Sequence, residues 1–498
     1  MIAKTETLLP AAVMALLLMP WAAGKVHAAP PRQQPLDRTN QGSPSGADLA
    51  GNPGKTPPMG WNSWNTFGKQ ISARLVEEIA DAAKRSRLDE VGYKYLVMDD
   101  GWQLRELGAQ GELVPNPAAF PQGIAPVAQY VRSRGFELGI YSSPNSLSCA
   151  NFAGSLGHET RHVRQFAEWG CSFVKYDYSP GRNGETGLTR TTIIDRYRAF
   201  GDALKAEAPN LRFAICEKGW AGQITTRQRT KDSPPVTAPQ RRDAFGWCRE
   251  VGGAMWRTSG DIRPTWVRIM QILDEQEGLA SLAGPGAAND PDMLEVGNGS
   301  LTEAENRTHF TLWCVLNDPL ILGNDLRRIP EPVLRIITNR EVIALNQDLL
   351  CRQAEKVVDT GDVEIFAKPL ANGDVGVCVL NRAGTLQSVA VAWDQIGLSG
   401  GAACRVRDLW KHQNLGPFTD QIKRKKNPVL TLMVSWLLLL SGLFAATAKP
   451  GTPDRPNLLI IFGEDWGWGD LSCHGQRPLA TSTRGAQDPG DEHAGIIR

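Results

Sequence analysis

Between Pro57 and Gln347 the chain alternates short runs of β-forming residues with longer stretches of helical period, and this alternation restricts the fold more than any other feature. The early runs are GWNSW at 60–64, YKYLVMDD at 93–100, FELGIYS at 136–142 and SFVKYDY at 172–178. RFAICE at 212–217, AMWRTSGD at 254–261, a weaker run near LASLAG at 279–284 and PLILGN at 319–324 complete the series. Between them apolar residues recur three and four apart, as in Leu75, Val76, Ile79 and Ala83, or Trp266, Ile269, Met270 and Leu273. Eight strand–helix units over this length predict an α/β fold of the (β/α)8 barrel type. A doubly wound open sheet is the alternative, but it carries a Gly-rich phosphate turn after its first strand. None follows GWNSW.

At 498 residues there is room for two or three domains. The 54 basic and 53 acidic residues nearly cancel, and no basic stripe with interleaved aromatics is present, so nucleic acid is excluded as a partner. The 15 tryptophans offer flat apolar faces with an N–H donor, which suit sugar rings, although a large core uses many of them as well.

Both ends are set apart from this pattern. Residues 1–29 read as a signal peptide: Lys4, an apolar stretch from Leu8 to Ala23, then Val26-His27-Ala28 ahead of Ala29. Pro10 and Pro20 interrupt the stretch and leave it short for a membrane span. The expected location is therefore secreted or periplasmic. Residues 30–55, rich in Pro, Gly, Gln and Asn, read as a disordered linker. The nine cysteines show neither C-x-x-C nor zinc-ligand spacing. No metal or cofactor is expected. Export permits disulfides, yet the odd number and scatter fit buried free thiols at least as well.

Polar residues collect where the predicted strands end: Asp99 and Asp100, Tyr141, Lys175 and Asp177, Glu217, then Arg257 and Asp261. Any one of them alone is most simply a loop cap or a surface ion pair. Strand after strand ending this way is different, because a barrel gathers those ends on one face. Two carboxylates across a sugar can serve as nucleophile and acid/base, with others accepting hydrogen bonds from hydroxyls.

The motifs are specific. TPPMGWNSWNTF at 56–67, YLVMDDGWQ at 95–103, NPAAFPQGI at 116–124, LGIYSS at 138–143 and FVKYD at 173–177 resemble those of glycoside hydrolase family 27 α-galactosidases. So do WRTSGDI at 256–262, AGPG at 283–286, NDPDMLEVGN at 289–298 and NDPLILGNDLR at 317–327, all in collinear order over residues 55–415. The resemblance implies a retaining, exo-acting enzyme. It makes Asp177 the nucleophile and Asp261 the acid/base. Lys175 would hold a hydroxyl and keep Asp177 ionised, and Asp99 and Asp100 would face O4 and O6 of galactose. Trp64 would pack on the sugar's apolar face and Arg257 would reach O2 and O3. Tyr141, Cys216 and Asp292 complete the implied binding set.

Three departures from the family pattern stand out. Tyr178 and Ser179 follow Asp177 where many members have a Cys, so Cys149 lacks its implied disulfide partner. The common C-E-W-G reads Cys216-Glu217-Lys218-Gly219, with a Pro- and Arg-rich insert at about 221–243. Ala287-Ala288 replaces the Gly-Trp that precedes N-D-P-D-M. The pocket around O2 is therefore expected to differ.

With the barrel placed at 56–350, residues 351–420 switch to short alternating strands, VEIFAKPL, VGVCVLNR, SVAVAW and CRVRDLW, and resemble the family's antiparallel β-sandwich, cut short. Residues 421–448 then carry Lys423-Arg424-Lys425-Lys426 and a 20-residue apolar run from Val429 to Ala448. That run reads as a transmembrane helix by length, or as a second signal peptide from Met433 to Ala448. Within 449–498, RPNLLIIFGEDWGWGDLSCHG at 455–475 resembles the first strand of a sulfatase, with Glu464 and Asp465 at its calcium-binding place but no C-x-P-S-R. The tail is expected to make few contacts with the hydrolase. The expected substrates are α-galactoside oligosaccharides or glycoconjugates, and a membrane enters only through 429–448. A family relative cleaving α-N-acetylgalactosaminides or β-L-arabinopyranosides, and an inactive carbohydrate-binding relic, remain the alternatives.

Overall fold

Eight short strands, β1 (Met59–Asn62), β2 (Tyr95–Val97), β3 (Glu137–Ser142), β4 (Phe173–Asp177), β5 (Arg212–Cys216), β6 (Met255–Arg257), β7 (Ala288–Asp290) and β8 (Leu320–Leu322), form one parallel sheet. Their order is β7-β6-β5-β4-β3-β2-β1-β8. The sheet closes where Leu294, just past β7, bridges β8: its N–H donates to the Ile321 carbonyl at 2.7 Å, and Gly323 N–H donates to the Leu294 carbonyl at 3.0 Å. This computed structural model describes residues 54–181, 185–225, 228–229, 233–383, 387–401, 403–424 and 457–462. The signal-like segment 1–29, the apolar run 429–448, Glu464, Asp465 and Cys473 lie outside the described residues. Among the described residues no helix is long and apolar enough to cross a membrane.

Side-chain parity organises the barrel. Successive strand residues point to opposite faces. Leu96, Leu138, Val174, Phe213 and Trp256 point outward into the layer shared with the surrounding helices. Tyr95, Val97, Phe173, Ala214, Met255 and Ala288 point inward and form a separate small cluster on the axis. Gly139 belongs to that inner face: a Cβ there would sit 2.7 Å from Val97 Cγ2 and 3.2 Å from Phe173 Cβ, so only glycine fits. The outer helices follow the expected period. Helix Ala73–Arg85, capped by the Ser72 hydroxyl, buries Val76, Ile79, Ala80 and Ala83. Helix Trp266–Glu275, capped by Thr265, buries Ile269, Met270 and Leu273.

The seventh strand corrects the sequence reading. LASLAG at 279–284 forms a 3-10 turn, Ala280–Leu282, and a tight loop in which Gly284 and Ala287 bond each other. The strand is Ala288–Asp290, three residues with no hydrophobic run, so periodicity had nothing to detect there.

After the barrel, β9 (Glu355–Asp359), β10 (Val363–Pro369), β11 (Val375–Asn381), β12 (Val389–Ala392), β13 (Ala403–Asp408), β14 (Gln413–Thr419), β15 (Gln421–Arg424) and β16 (Asn457–Phe462) build two sheets. One has the order β14-β13-β16-β11-β10-β9, and the other pairs β12 with β15. Val391, Trp393 and Ile422 meet Ile365, Val377 and Val406 in a core of their own, which makes this a sandwich. Ion pairs tie it to the barrel. Arg407 meets Glu341 at 2.6 Å, and Arg382 meets Asp274 at 2.5 Å.

Two expectations about the tail are overturned. Gln421–Arg424, read as the start of a separate basic segment, is a strand: Asp420 turns the chain with φ 65°, and Ile422 pairs with Val391 and is buried. Asn457–Phe462, expected to lie away from the enzyme, runs parallel between β11 and β13. Its strand character was legible in NLLIIF. Its partners were not, because two strand edges with unpaired N–H and C=O groups accept any chain of suitable backbone. Truncation after Arg424 is accordingly expected to lower the melting temperature of the purified protein by several degrees, because β11 and β13 lose the strand between them. Calorimetry showing an unchanged profile would contradict this pairing.

Candidate active site

The inner parity carries straight into the polar strand ends. Two residues beyond inward Val97 comes Asp99; beyond Phe173 come Lys175 and then Asp177; beyond Gly139, Tyr141. In the same way Ala214 leads to Cys216, Met255 to Arg257, and Ala288 through Asp290 to Asp292. All therefore face the axis toward the C-terminal mouth, where most of them surround a cavity of about 360 Å³. Nine of the ten residues singled out in the sequence line it: Trp64, Asp99, Asp100, Tyr141, Lys175, Asp177, Arg257, Asp261 and Asp292. The tenth, Cys216, does not. It is buried beneath the floor, with Sγ 3.8 Å from Arg257 Nη1.

On one side Lys175 Nζ pairs with Asp99 Oδ2 at 2.7 Å, and Asn62 Nδ2 donates to the same oxygen at 2.8 Å. Lys175 is thus paired directly with Asp99, while the charge of Asp177 also acts on it. Burial alone would lower the Lys175 proton affinity, but the Asp99 carboxylate reverses this and holds the ammonium well above its ordinary range. Asp100 accepts from Ala150 N–H at 2.8 Å. Burial pushes its carboxyl up to about 7, with neighbouring Asp99 and Asp177 adding to the effect.

Across the cavity Arg257 Nη2 donates to Asp292 Oδ2 and to Asp261 Oδ1, the latter at 3.0 Å. Asp292 is held further by the N–H groups of Ile262 at 2.8 Å and Met293 at 2.7 Å. Its backbone sits at φ 105°, a strained conformation that these bonds maintain. Asp261 lies at the mouth, with its side chain 61% exposed.

Asp177 ends β4 between these two groups. Its Oδ2 accepts from the Cys149 thiol at 3.3 Å, and its buried Oδ1 accepts no hydrogen bond among the described residues. A buried oxygen with a free lone pair facing a cavity is where a ligand atom would go. All eight described cysteines are free, so Cys149 has no disulfide. Burial, reinforced by Asp177, pushes the Cys149 thiol up to about 12, so it stays protonated and donates.

Sequence reasoning passed over one neighbour of both acids. Lys218 Nζ is 3.0 Å from Asp261 Oδ1 and 3.8 Å from Asp177 Oδ1. Its signal was present, as the residue replacing Trp in C-E-W-G, but only its loss of shape was weighed. Asn62 and Glu295 were also missed; Asn62 lies inward on β1 two residues after Gly60, and Glu295 receives Asn298 Nδ2 at 2.5 Å.

A barrel whose C-terminal mouth gathers several carboxylates around a cavity has an architecture that glycoside hydrolases use. Comparison with known proteins narrows this. The family described as alpha galactosidase A matches residues 56–348, and the alpha galactosidase C-terminal beta sandwich domain matches residues 360–432. The chain is 40% identical over 371 residues to an α-galactosidase of Cyamopsis tetragonoloba, covering 74% of this chain and 83% of that one. Among solved structures it resembles α-galactosidase I of Mortierella vinacea, with 32% identity, TM-score 0.66 and coverage of 74% and 94%. It also resembles the Saccharomyces cerevisiae α-galactosidase solved with raffinose, with 28% identity, TM-score 0.62 and coverage of 71% and 82%. This chain belongs to the α-galactosidase family, glycoside hydrolase family 27.

The raised Asp100 carboxyl gives a signed prediction. Unfolded Asp100 releases its proton near pH 4, whereas the folded group keeps it to about 7, so its contribution to stability falls between those values. The melting temperature of Asp100→Asn minus that of the parent should therefore rise from pH 4 to 7 and level off above 8. A difference independent of pH would contradict the burial argument.

Proposed function

We propose that this protein is a retaining exo-α-galactosidase that removes terminal α-D-galactosyl groups by double displacement. The observation that carries the reading is the pair Asp177 and Asp261 facing each other across the cavity. One ammonium lies 3.8 and 3.0 Å from their facing oxygens, so those oxygens cannot be further apart than the two contacts laid end to end. That falls short of most of the roughly 6.5–9.5 Å range used by inverting enzymes.

In this reading the free Oδ1 of Asp177 attacks the anomeric carbon while Asp261 protonates the departing oxygen. A covalent galactosyl–Asp177 ester results. Asp261, now a carboxylate, takes a proton from water, which attacks the anomeric carbon and displaces Asp177 as a free carboxylate. The Cys149 thiol donates to Oδ2, which leaves Oδ1 as the attacking atom. Asp99 and Asp100 accept from O4 and O6, so an equatorial O4 would leave buried acceptors unpaired. Trp64 covers the apolar face, Arg257 serves the O2 and O3 side, and Tyr141, Lys175 and Asp292 close the wall. α-Galactoside oligosaccharides and glycoconjugates are the substrates, and no step requires a metal. Residues 1–29 act as an export signal for a secreted or periplasmic enzyme. The sulfatase-like stretch 455–475 is read as a piece from another gene and receives no catalytic role.

Azide separates the two roles. Asp177→Ala should abolish turnover of aryl α-galactosides and, with azide, release β-galactosyl azide. Asp261→Ala should lose about 10²–10⁴-fold on raffinose but little on dinitrophenyl α-galactoside, which needs no protonation. Equal losses on both substrates for Asp261→Ala would sink the assignment. A panel of nitrophenyl glycosides that includes α-N-acetylgalactosaminide and β-L-arabinopyranoside tests the sugar itself.

A further inference from the structure

We propose that Lys218 is a positioning residue whose ammonium bridges the two reacting carboxylates and thereby lowers the pH at which Asp261 ceases to act as an acid. This rests on the retaining reading of Asp177 and Asp261 and adds to it a control on the pH range of the reaction.

The turn after β5 is built to deliver that ammonium. Glu217 is buried, and its carboxylate accepts from Gly219 N–H at 3.1 Å and from Ala221 N–H, fixing the loop in place. Lys218 itself sits at φ 62°, a left-handed conformation that a lysine adopts only where its surroundings impose it. The side chain then reaches over the cavity, 19% exposed, and ends 3.0 Å from Asp261 Oδ1 and 3.8 Å from Asp177 Oδ1.

Arg257, Lys175 and Arg268, three further cations near Asp261, already have partners. From β6, Arg257 touches it at 3.0 Å but also binds Asp292, which faces in from the loop after β7. From β4, Lys175 is committed to Asp99 at 2.7 Å, while Asp177 opposes ionisation of Asp261. From helix Trp266–Glu275, Arg268 Nε bonds the Asp261 carbonyl at 3.1 Å rather than its carboxylate. Arg263 also lines the cavity. Lys218 is thus the cation whose two carboxylate contacts are both with reacting groups.

The direction of the effect follows. Without Lys218, the negative Asp177 would make Asp261 hold its proton more tightly, as an acid catalyst needs. An ammonium between them favours both carboxylates ionised. Burial still pushes Asp261 upward, but Lys218 and then Arg257 outweigh it and hold the carboxyl below its usual range. Asp261 therefore gives up its proton at a lower pH, and poor leaving groups lose their acid sooner as pH rises.

The test compares Lys218→Met and Lys218→Trp, which remove the charge, with Lys218→Arg, which keeps it. kcat/KM is followed against pH for raffinose and for dinitrophenyl α-galactoside. The basic limb on raffinose should move up by about 1 pH unit or more in the two neutral variants and stay in place in Lys218→Arg. The limb on the dinitrophenyl substrate should not move. A raffinose limb that is unmoved in both neutral variants overturns the proposal. A carbon-13 carboxyl titration of Asp261, in the parent and in Lys218→Met, reads the same shift without substrate. Absence of α-galactoside turnover in the parent would thus defeat the sugar assignment while the titration still decides the role of Lys218.

Discussion

A closed parallel barrel obliges every second residue of each strand to face its axis, and the active site is the continuation of that obligation past the strand ends. Apolar Val97, Phe173, Ala214, Met255 and Ala288 fill the axis and fix which parity is inward. Asp99, Asp177, Cys216, Arg257 and Asp292 lie two or four residues further on and inherit the direction. A one-residue slip in any strand would turn its catalytic group into the helix layer. The inner cluster is small, yet the direction of Asp177 depends on it.

Charge is the second organising element. Three of the cations lining the cavity pair with its carboxylates, each in a different way. Lys175 neutralises Asp99, Arg257 joins Asp292 to Asp261, and Lys218 lies between Asp261 and Asp177. Buried carboxylates that lack such a partner respond as burial dictates: Asp100 rises to about 7 and Glu217 to about 8. The cavity therefore holds carboxyl groups of very different acid strength, with Asp100 above and Asp261 below the ordinary range.

Much of this was legible in the sequence because hydrophobic period and motif spacing are local signals. The barrel strands other than the seventh, and the polar groups at their ends, could be read directly. Ala288–Asp290 could not, because three residues held by neighbours on one side and by a bridge at Leu294 carry no pattern of their own. The pairing of β16 between β11 and β13 was equally hidden, since strand partners are chosen in space. Cys216 was placed in the pocket by resemblance and lies under it. Lys218 shows another limit: the substitution was visible, but whether four methylenes reach a carboxylate depends on a backbone angle that sequence does not display.

The central claim is that Asp177 and Asp261 work as a nucleophile and acid/base pair of a retaining enzyme. The most direct measurement is proton NMR of the sugar released from an aryl α-galactoside, recorded before mutarotation. The α-anomer of galactose should form first, with the β-anomer growing in only as the free sugar equilibrates. β-Galactose as the first product would mean a single inverting displacement and would contradict the account.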